Sequence, residues 1–171
     1  MHDFYNVFSG QGQGDGRGGR PGVAEILPNL FVGEYPREED IGWLKEEFGI
    51  SAVLSLQDAD DLAGKGLSLP GLIREYRQHG VRFHRTPIAD FDCQHLAQVL
   101  PQALKDLEVL VQEGHRVYLH CNAGCNRAPT VAIAFLHVYH HLSLKEARDF
   151  VKARRPCGPY MEVLYGHFGA E

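Results

Sequence analysis

The sequence predicts an α/β fold with a central, mostly parallel twisted sheet flanked by helices. Short apolar runs of strand length alternate with stretches of helical character, the pattern of parallel strands joined by helical crossovers. One of those runs, Ser51–Leu56, is bounded by Gly49 and the acidic turn Asp58–Asp61, which marks a buried strand. A tight loop, Cys121 to Arg127, also falls between the β-type run Val117-Tyr118-Leu119 and a helical run, at the strand edge where such sheets collect ligands.

In chain order, residues 9–22 form the only low-complexity segment. Its glycines lack the preceding strand, the following helix and the Gly-Lys-Ser/Thr ending of a phosphate cradle, so it reads as flexible. The chain therefore divides into a flexible Gly-rich segment, residues 1–23, and one folded domain, residues 24–171. Short strands are expected at Glu25–Leu27 and Leu30–Gly33. A helix over Arg37–Phe48 follows, with Glu38, Glu39 and Asp40 suited to its positive end. The strand Ser51–Leu56 leads to a helix near Ser68–His79, a strand over Val81–Pro87 and a helix over Leu96–Glu113. The strand Arg116–His120 runs into the loop. Beyond it come a helix over Arg127–His141, a helix over Leu144–Ala153 opened by the capping box Ser143/Glu146, and a short helix after Pro159.

A chain of 171 residues suffices for one well-filled core. The formal net charge of −5 supplies no broad basic field, so neither nucleic acid nor an anionic membrane is an expected partner. No apolar run approaches the roughly 18 residues of a spanning helix. The Met-His-Asp-Phe start has neither the basic nor the apolar region of a secretory signal. The 4 cysteines (Cys93, Cys121, Cys125 and Cys157) are accordingly expected as free thiols in a reducing, cytoplasmic setting.

The loop His120-Cys-Asn-Ala-Gly-Cys-Asn-Arg127 carries the chemistry. Cys121 is placed beneath a helix N-terminus and beside a cation, surroundings that favour a nucleophilic thiolate. Arg127 is expected to hold two phosphate oxygens in a fork, and the N–H groups of Asn122, Ala123, Gly124, Cys125, Asn126 and Arg127 to contact the others. If the strand continues through His120, its side chain faces away from that of Cys121, which leaves it to orient the loop by hydrogen bonds. A phosphate ester also needs an acid for its leaving oxygen. Asp90 and Asp92, in Ala89-Asp-Phe-Asp92, leave the sheet at the same edge; one is expected to be the acid and the other can cap the next helix. The cysteine spacing does not fit zinc, and His137, His140 and His141 read as surface or packing residues, so no metal is expected. A reversible disulfide from Cys121 to Cys125 or Cys93 would shield the thiolate.

The chain resembles the dual-specificity branch of the protein tyrosine phosphatase superfamily, and within it the glucan (starch and laforin-type) phosphatases. The resemblance rests on Asp90-Phe-Asp92, Cys121-Asn-Ala-Gly-Cys-Asn-Arg-Ala-Pro129, Leu56-Gln57 followed by Asp61, and Arg155-Pro-Cys-Gly-Pro159, and runs from about Leu27 to Pro159. It implies a protein tyrosine phosphatase-like fold and metal-free, cofactor-free chemistry through a phosphocysteine on Cys121. Arg127 becomes the phosphate binder and Asp90, the first aspartate, the acid. The implied substrate is a phosphorylated glucan, with a phosphoprotein (Ser, Thr or Tyr) as the alternative and a phospho-ligand-binding pseudophosphatase behind both. Phosphoinositides fit less well, since the loop adds no basic side chain beyond Arg127. Asn126 stands where many relatives have Gly. Ala128 stands where many have a hydroxyl that helps expel the thiolate, with Thr130 as a substitute donor. Gly64 and Lys65 replace the aromatics of the plant relatives, leaving Phe91, Tyr160 and Tyr5 as candidate sugar-facing rings.

Overall fold

The computed structural model describes residues 19–170. Residues 1–18, with most of the glycine-rich segment and Tyr5, lie outside the described residues. The strands are β1 (Val23–Leu27), β2 (Leu30–Gly33), β3 (Ala52–Ser55), β4 (Arg82–Arg85) and β5 (Val117–His120). They form a 5-stranded sheet in the order β1-β2-β5-β3-β4. β1 is antiparallel to β2 and the other pairs are parallel, so the sheet is mostly parallel. The helices are α1 (Ile41–Phe48), α2 (Ala59–Gly64), α3 (Leu69–Gln78), α4 (Cys93–Gln112), α5 (Arg127–His140), α6 (Leu144–Arg154) and α7 (Met161–Phe168). None is long and apolar enough to cross a membrane.

The alternation of side chains along each strand sorts the core onto two faces. Leu30 and Val32, Ala52 and Leu54, and Val117 and Leu119 pack with α4 to α7. Phe31, Val53 and Tyr118 face the other way, against α1 to α3 through Ile41, Leu44, Leu62, Leu72 and Tyr76. Cys121 belongs to the first face, whereas the His120 ring stacks on Tyr118 of the second, 5.7 Å between centroids.

Three elements differ from the sequence reading. The helix expected over Arg37–Phe48 begins as a 3-10 turn, Glu38–Asp40. Asp40 turns its carboxylate back onto the Arg37 N–H (2.8 Å), which draws the first turn tight. The acidic turn Asp58–Asp61 is the start of α2. Asp58 accepts from the Asp61 N–H and Asp61 from the Asp58 N–H, both at 2.9 Å, a reciprocal cap built from two aspartates. α4 starts at Cys93, because Asp92 accepts from the His95 N–H at 2.9 Å and caps the helix there.

Candidate active site

The loop after β5 owes its shape to residues outside it. The carbonyl of Cys121 accepts from His120 Nδ1 (2.9 Å) and that of Asn122 from the Tyr35 N–H (2.9 Å). Arg155 takes the next pair: its NH2 donates to Ala123 O (2.9 Å) and its Nε to Gly124 O (2.8 Å). Cys125 O accepts from the Gly158 N–H (2.9 Å), and Asn126 O from the Thr130 amide (3.1 Å) and hydroxyl (2.7 Å). Every carbonyl from Cys121 to Asn126 is thus claimed from outside. A trans peptide points its N–H opposite its C=O, so the amides turn away from those acceptors, toward the concave side of the loop at the N-terminus of α5. Gly124 makes the turn at φ 65°. A Cβ there would stand 2.5 Å from Gly33 O and 2.7 Å from Arg155 NH2, so only glycine fits.

The cradle opens into a small pocket lined by Asp90, Cys121, Asn122, Ala123, Cys125, Asn126 and Arg127. Gly124 does not line it and serves through its backbone. Arg127 is 1% exposed. Its NH1 donates to Asp61 Oδ2 (2.7 Å) and to Ile88 O (2.8 Å). Its Nε lies 3.3 Å from Asp90 Oδ1 without hydrogen-bond alignment, and so is buried without a partner among the described residues. Such an N–H is costly unless an acceptor arrives.

The two candidate acids separate cleanly. Asp92 is committed to the α4 cap, while Asp90 lines the pocket. Burial raises the Asp90 carboxyl above its usual range; Arg127 opposes this and the Asp61 charge adds to it. Asp61 behaves oppositely. Burial works against its charge, but the hydrogen bonds and charge of Arg127, with the Asp58 amide and Asn122, more than offset that and hold the carboxyl below its usual range. Asp61 entered the sequence analysis only as part of the family pattern, with no role at the site, although its place in an Asp58-x-x-Asp61 cap was a usable signal.

Phe91 stands beside the pocket, 65% exposed at φ 57°, rather than in its wall. Tyr160 is half-buried, and burial with the nearby Asp90 charge pushes its hydroxyl up to about 12. Thr130 offers no hydroxyl in place of the one missing at Ala128. Its Oγ1 donates to Asn126 O and accepts from the Tyr160 N–H (2.8 Å), so it is committed away from Cys121. Asn126 donates to Gly158 O (2.6 Å), fastening the loop to the 155–159 segment. Lys65 lies over the Tyr35 ring at 5.6 Å, covering an aromatic the sequence reading had not placed near the loop.

All 4 cysteines are free thiols. Cys125 shares the pocket with Cys121, whereas Cys93 lies 3.6 Å from Glu162 in a separate groove between α4 and α7. His137 donates from Nδ1 to Leu142 O (2.7 Å), and its ring packs on Phe168. No group of metal-ligating side chains is assembled among the described residues.

Comparison with known proteins matches residues 30–164 to the catalytic domain of dual specificity phosphatases. Laforin of Mus musculus is 31% identical over 145 residues, which cover 78% of this chain and 44% of laforin. The amyloplastic phosphoglucan phosphatase DSP4 of Castanea sativa is 32% identical over 143 residues, 81% of this chain and 38% of that protein. The chain thus spans less than half the length of these curated relatives. Among solved structures, the crystal structure of Tk-PTP in the active form superposes with a TM-score of 0.71 at 29% identity, covering 85% of this chain and 95% of that one.

Proposed function

The chain belongs to the dual-specificity phosphatase family, and from that membership we propose that it hydrolyses phosphate monoesters through a phosphocysteine on Cys121, with a phosphorylated glucan as its substrate. The Cys121 sulfur attacks phosphorus in line with the ester oxygen. As the S–P bond forms and the P–O bond breaks, Asp90 gives its proton to the departing oxygen. The resulting carboxylate then takes a proton from water, which attacks the phosphocysteine and releases phosphate and the thiolate. Loop amides and Arg127 hold the equatorial oxygens in both steps. With Ala128 in the loop and Thr130 committed elsewhere, thiolate departure rests on those same donors.

The observation that carries this reading is the buried Arg127 Nε, ion-paired with Asp90 at 3.3 Å but making no aligned hydrogen bond, where both residues line the pocket. Its ion pair with Asp90 leaves that N–H without an aligned acceptor, so it has a hydrogen bond to give a phosphate oxygen. No cofactor takes part in the proposal. The glucan assignment draws on the likeness to a phosphoglucan phosphatase and on the exposed Phe91 ring, a flat apolar face of the kind sugars stack on. A phosphoprotein substrate is the second reading, favoured by Gly64 and Lys65 in place of an aromatic platform.

The deciding experiment compares phosphate release from phosphorylated amylopectin or glycogen with release from Ser, Thr and Tyr phosphopeptides. A higher kcat/KM on the glucans is expected; equal or better peptide turnover would defeat the glucan assignment. In the same assay Cys121→Ser should lose turnover yet still bind phosphate, and activity surviving in that variant would defeat the phosphocysteine.

A further inference from the structure

One peptide group stands between the arginine of the pocket and the helix that follows the acid. The Ile88 carbonyl accepts from Arg127 NH1 at 2.8 Å, and the Ala89 N–H of the same peptide donates to His95 Nδ1 at 2.8 Å. A trans peptide points these two groups in opposite directions, so Arg127 and His95 grip it from either side. His95 also gives its own main-chain N–H to Asp92 Oδ1 at 2.9 Å. A single half-buried residue thereby clasps the turn Ala89–Asp92 at both ends, with Asp90 inside it. The turn needs holding. Phe91 stands in the left-handed region at φ 57°, which a bulky residue adopts only where its surroundings impose it, and its ring is too exposed for packing to do so.

Imidazole is the side chain whose protonation changes near neutral pH. Nδ1 accepts the Ala89 N–H only while it carries no proton; a doubly protonated ring would set a donor against a donor. We propose that His95 is a proton-sensitive positioning residue for the general acid: neutral, it fixes the Ile88–Ala89 peptide and Asp90 with it, and protonated, it lets the turn go. The assignment rests on the proposed phosphatase site and deepens it. Asp90 and Asp92 are the charged groups of the turn itself. From the elements packed against α4, Arg127 of α5 reaches the same peptide, and His84 of β4 pairs with Asp106 about three turns along the helix. His120 of β5 stacks on Tyr118, and Glu162 and His167 of α7 line the groove with Cys93, on the other side of α4 from His95. Acidification keeps Asp90 itself protonated, so a loss of acid catalysis on that side of the pH profile belongs to its placement and not to its charge.

The test compares kcat on a primary alkyl phosphate, whose leaving oxygen needs a proton, with kcat on nitrophenyl phosphate, whose leaving group needs little help, between about pH 5 and 8. The alkyl-to-aryl ratio of the wild type should drop roughly tenfold as the pH falls through the imidazole range. His95→Asn sets an amide oxygen, an acceptor that takes up no proton, where Nδ1 stands. Its ratio should vary by less than about threefold over the same range, while His95→Ala should show the low ratio throughout. The ionisations of Cys121 and of the esters are common to the three proteins and drop out of the comparison. A flat wild-type ratio, or a drop that persists in His95→Asn, would overturn the proposal.

Should a variant not fold, the wild-type ring still decides the matter. At neutral pH, nitrogen-resolved NMR should show His95 Nδ1 unprotonated and coupled to the Ala89 amide. As the ring titrates that coupling should vanish and the Asp90 amide signal should move with it. A protonated Nδ1 at neutral pH, or an Asp90 amide that stays put through the titration, would overturn the assignment. A wild-type protein that turns over no phosphate ester would instead defeat the proposed function, and the NMR result would still stand for or against His95.

Discussion

The His95 ring accepts a hydrogen bond from the Ala89 amide at 2.8 Å, which ties the residue before Asp90 to the helix that follows it. An amide nitrogen only donates, so Nδ1 of His95 must be the unprotonated acceptor. The turn carrying Asp90 is therefore held at both ends, by this bond and by the Asp92 cap.

Replacing His95 with Ala should release that turn. The Ala89 N–H loses its acceptor, a cost of about 1–3 kcal/mol for a buried group and less where water can enter. The expected result is a fall in kcat that is larger for alkyl phosphates than for nitrophenyl phosphates, since only the poor leaving group needs a well-placed acid. An equal fall on both would place His95 outside the acid's support.

Asp90 should shape the alkaline side of the rate profile. Its carboxyl is held above the ordinary range by burial, with Arg127 opposing and Asp61 reinforcing. As pH rises through that raised value the acid loses its proton and kcat falls. Asp90→Asn is expected to remove this fall and to lower kcat by roughly 10²–10⁴-fold on poor leaving groups. The carboxyl's contribution to stability falls over the same range of pH. A carboxyl whose folded value is raised favours the folded state below its unfolded value and loses that contribution as pH climbs through the folded one. Asp90→Asn should thus be at least as stable as wild type in urea at neutral pH.

Arg155→Lys should weaken the cradle despite keeping the charge. A lysine cannot place two fixed donors on Gly124 O and Ala123 O as the guanidinium does. A buried carbonyl left without its donor costs about 1–3 kcal/mol. Urea unfolding and phosphate calorimetry should register the loss together; reduced stability with full phosphate affinity would show that the loop does not depend on Arg155.

Gly124→Ala should be among the harshest small substitutions in the molecule. A left-handed backbone costs a non-glycine residue roughly 1–2 kcal/mol, and here the added methyl also meets Gly33 O at 2.5 Å. The thermal midpoint and phosphate affinity should both drop, and a variant matching wild type in both would contradict the loop geometry.

How much of this was legible in the sequence depended on how local each cause was. The strand–loop–helix unit around Cys121 declared itself because its residues are contiguous. The choice between Asp90 and Asp92 stayed open from the residues alone, because capping depends on where α4 begins, and His95 supplied the amide that fixed it. Asp61 was quoted within the family pattern but given no role, since it lies 66 residues from the arginine it holds. Arg155, 31 residues beyond Gly124, was likewise quoted in the family pattern without a role, for the same reason. Thr130 was misjudged as a substitute hydroxyl because a helical threonine readily bonds the carbonyl one turn back, and here it does.

The outward-turned carbonyls have a consequence for laboratory evolution. The loop's concave face is main chain, and its form is inherited from Tyr35, Arg155, Gly158 and Thr130 rather than from the side chains that line it. Ala123 contributes a wall to the pocket but no side-chain bond to the scaffold. A library randomised at that position would retune substrate preference while the catalytic frame stays constant, whereas one randomised at Asn122 or Asn126 would be sampling misassembled loops.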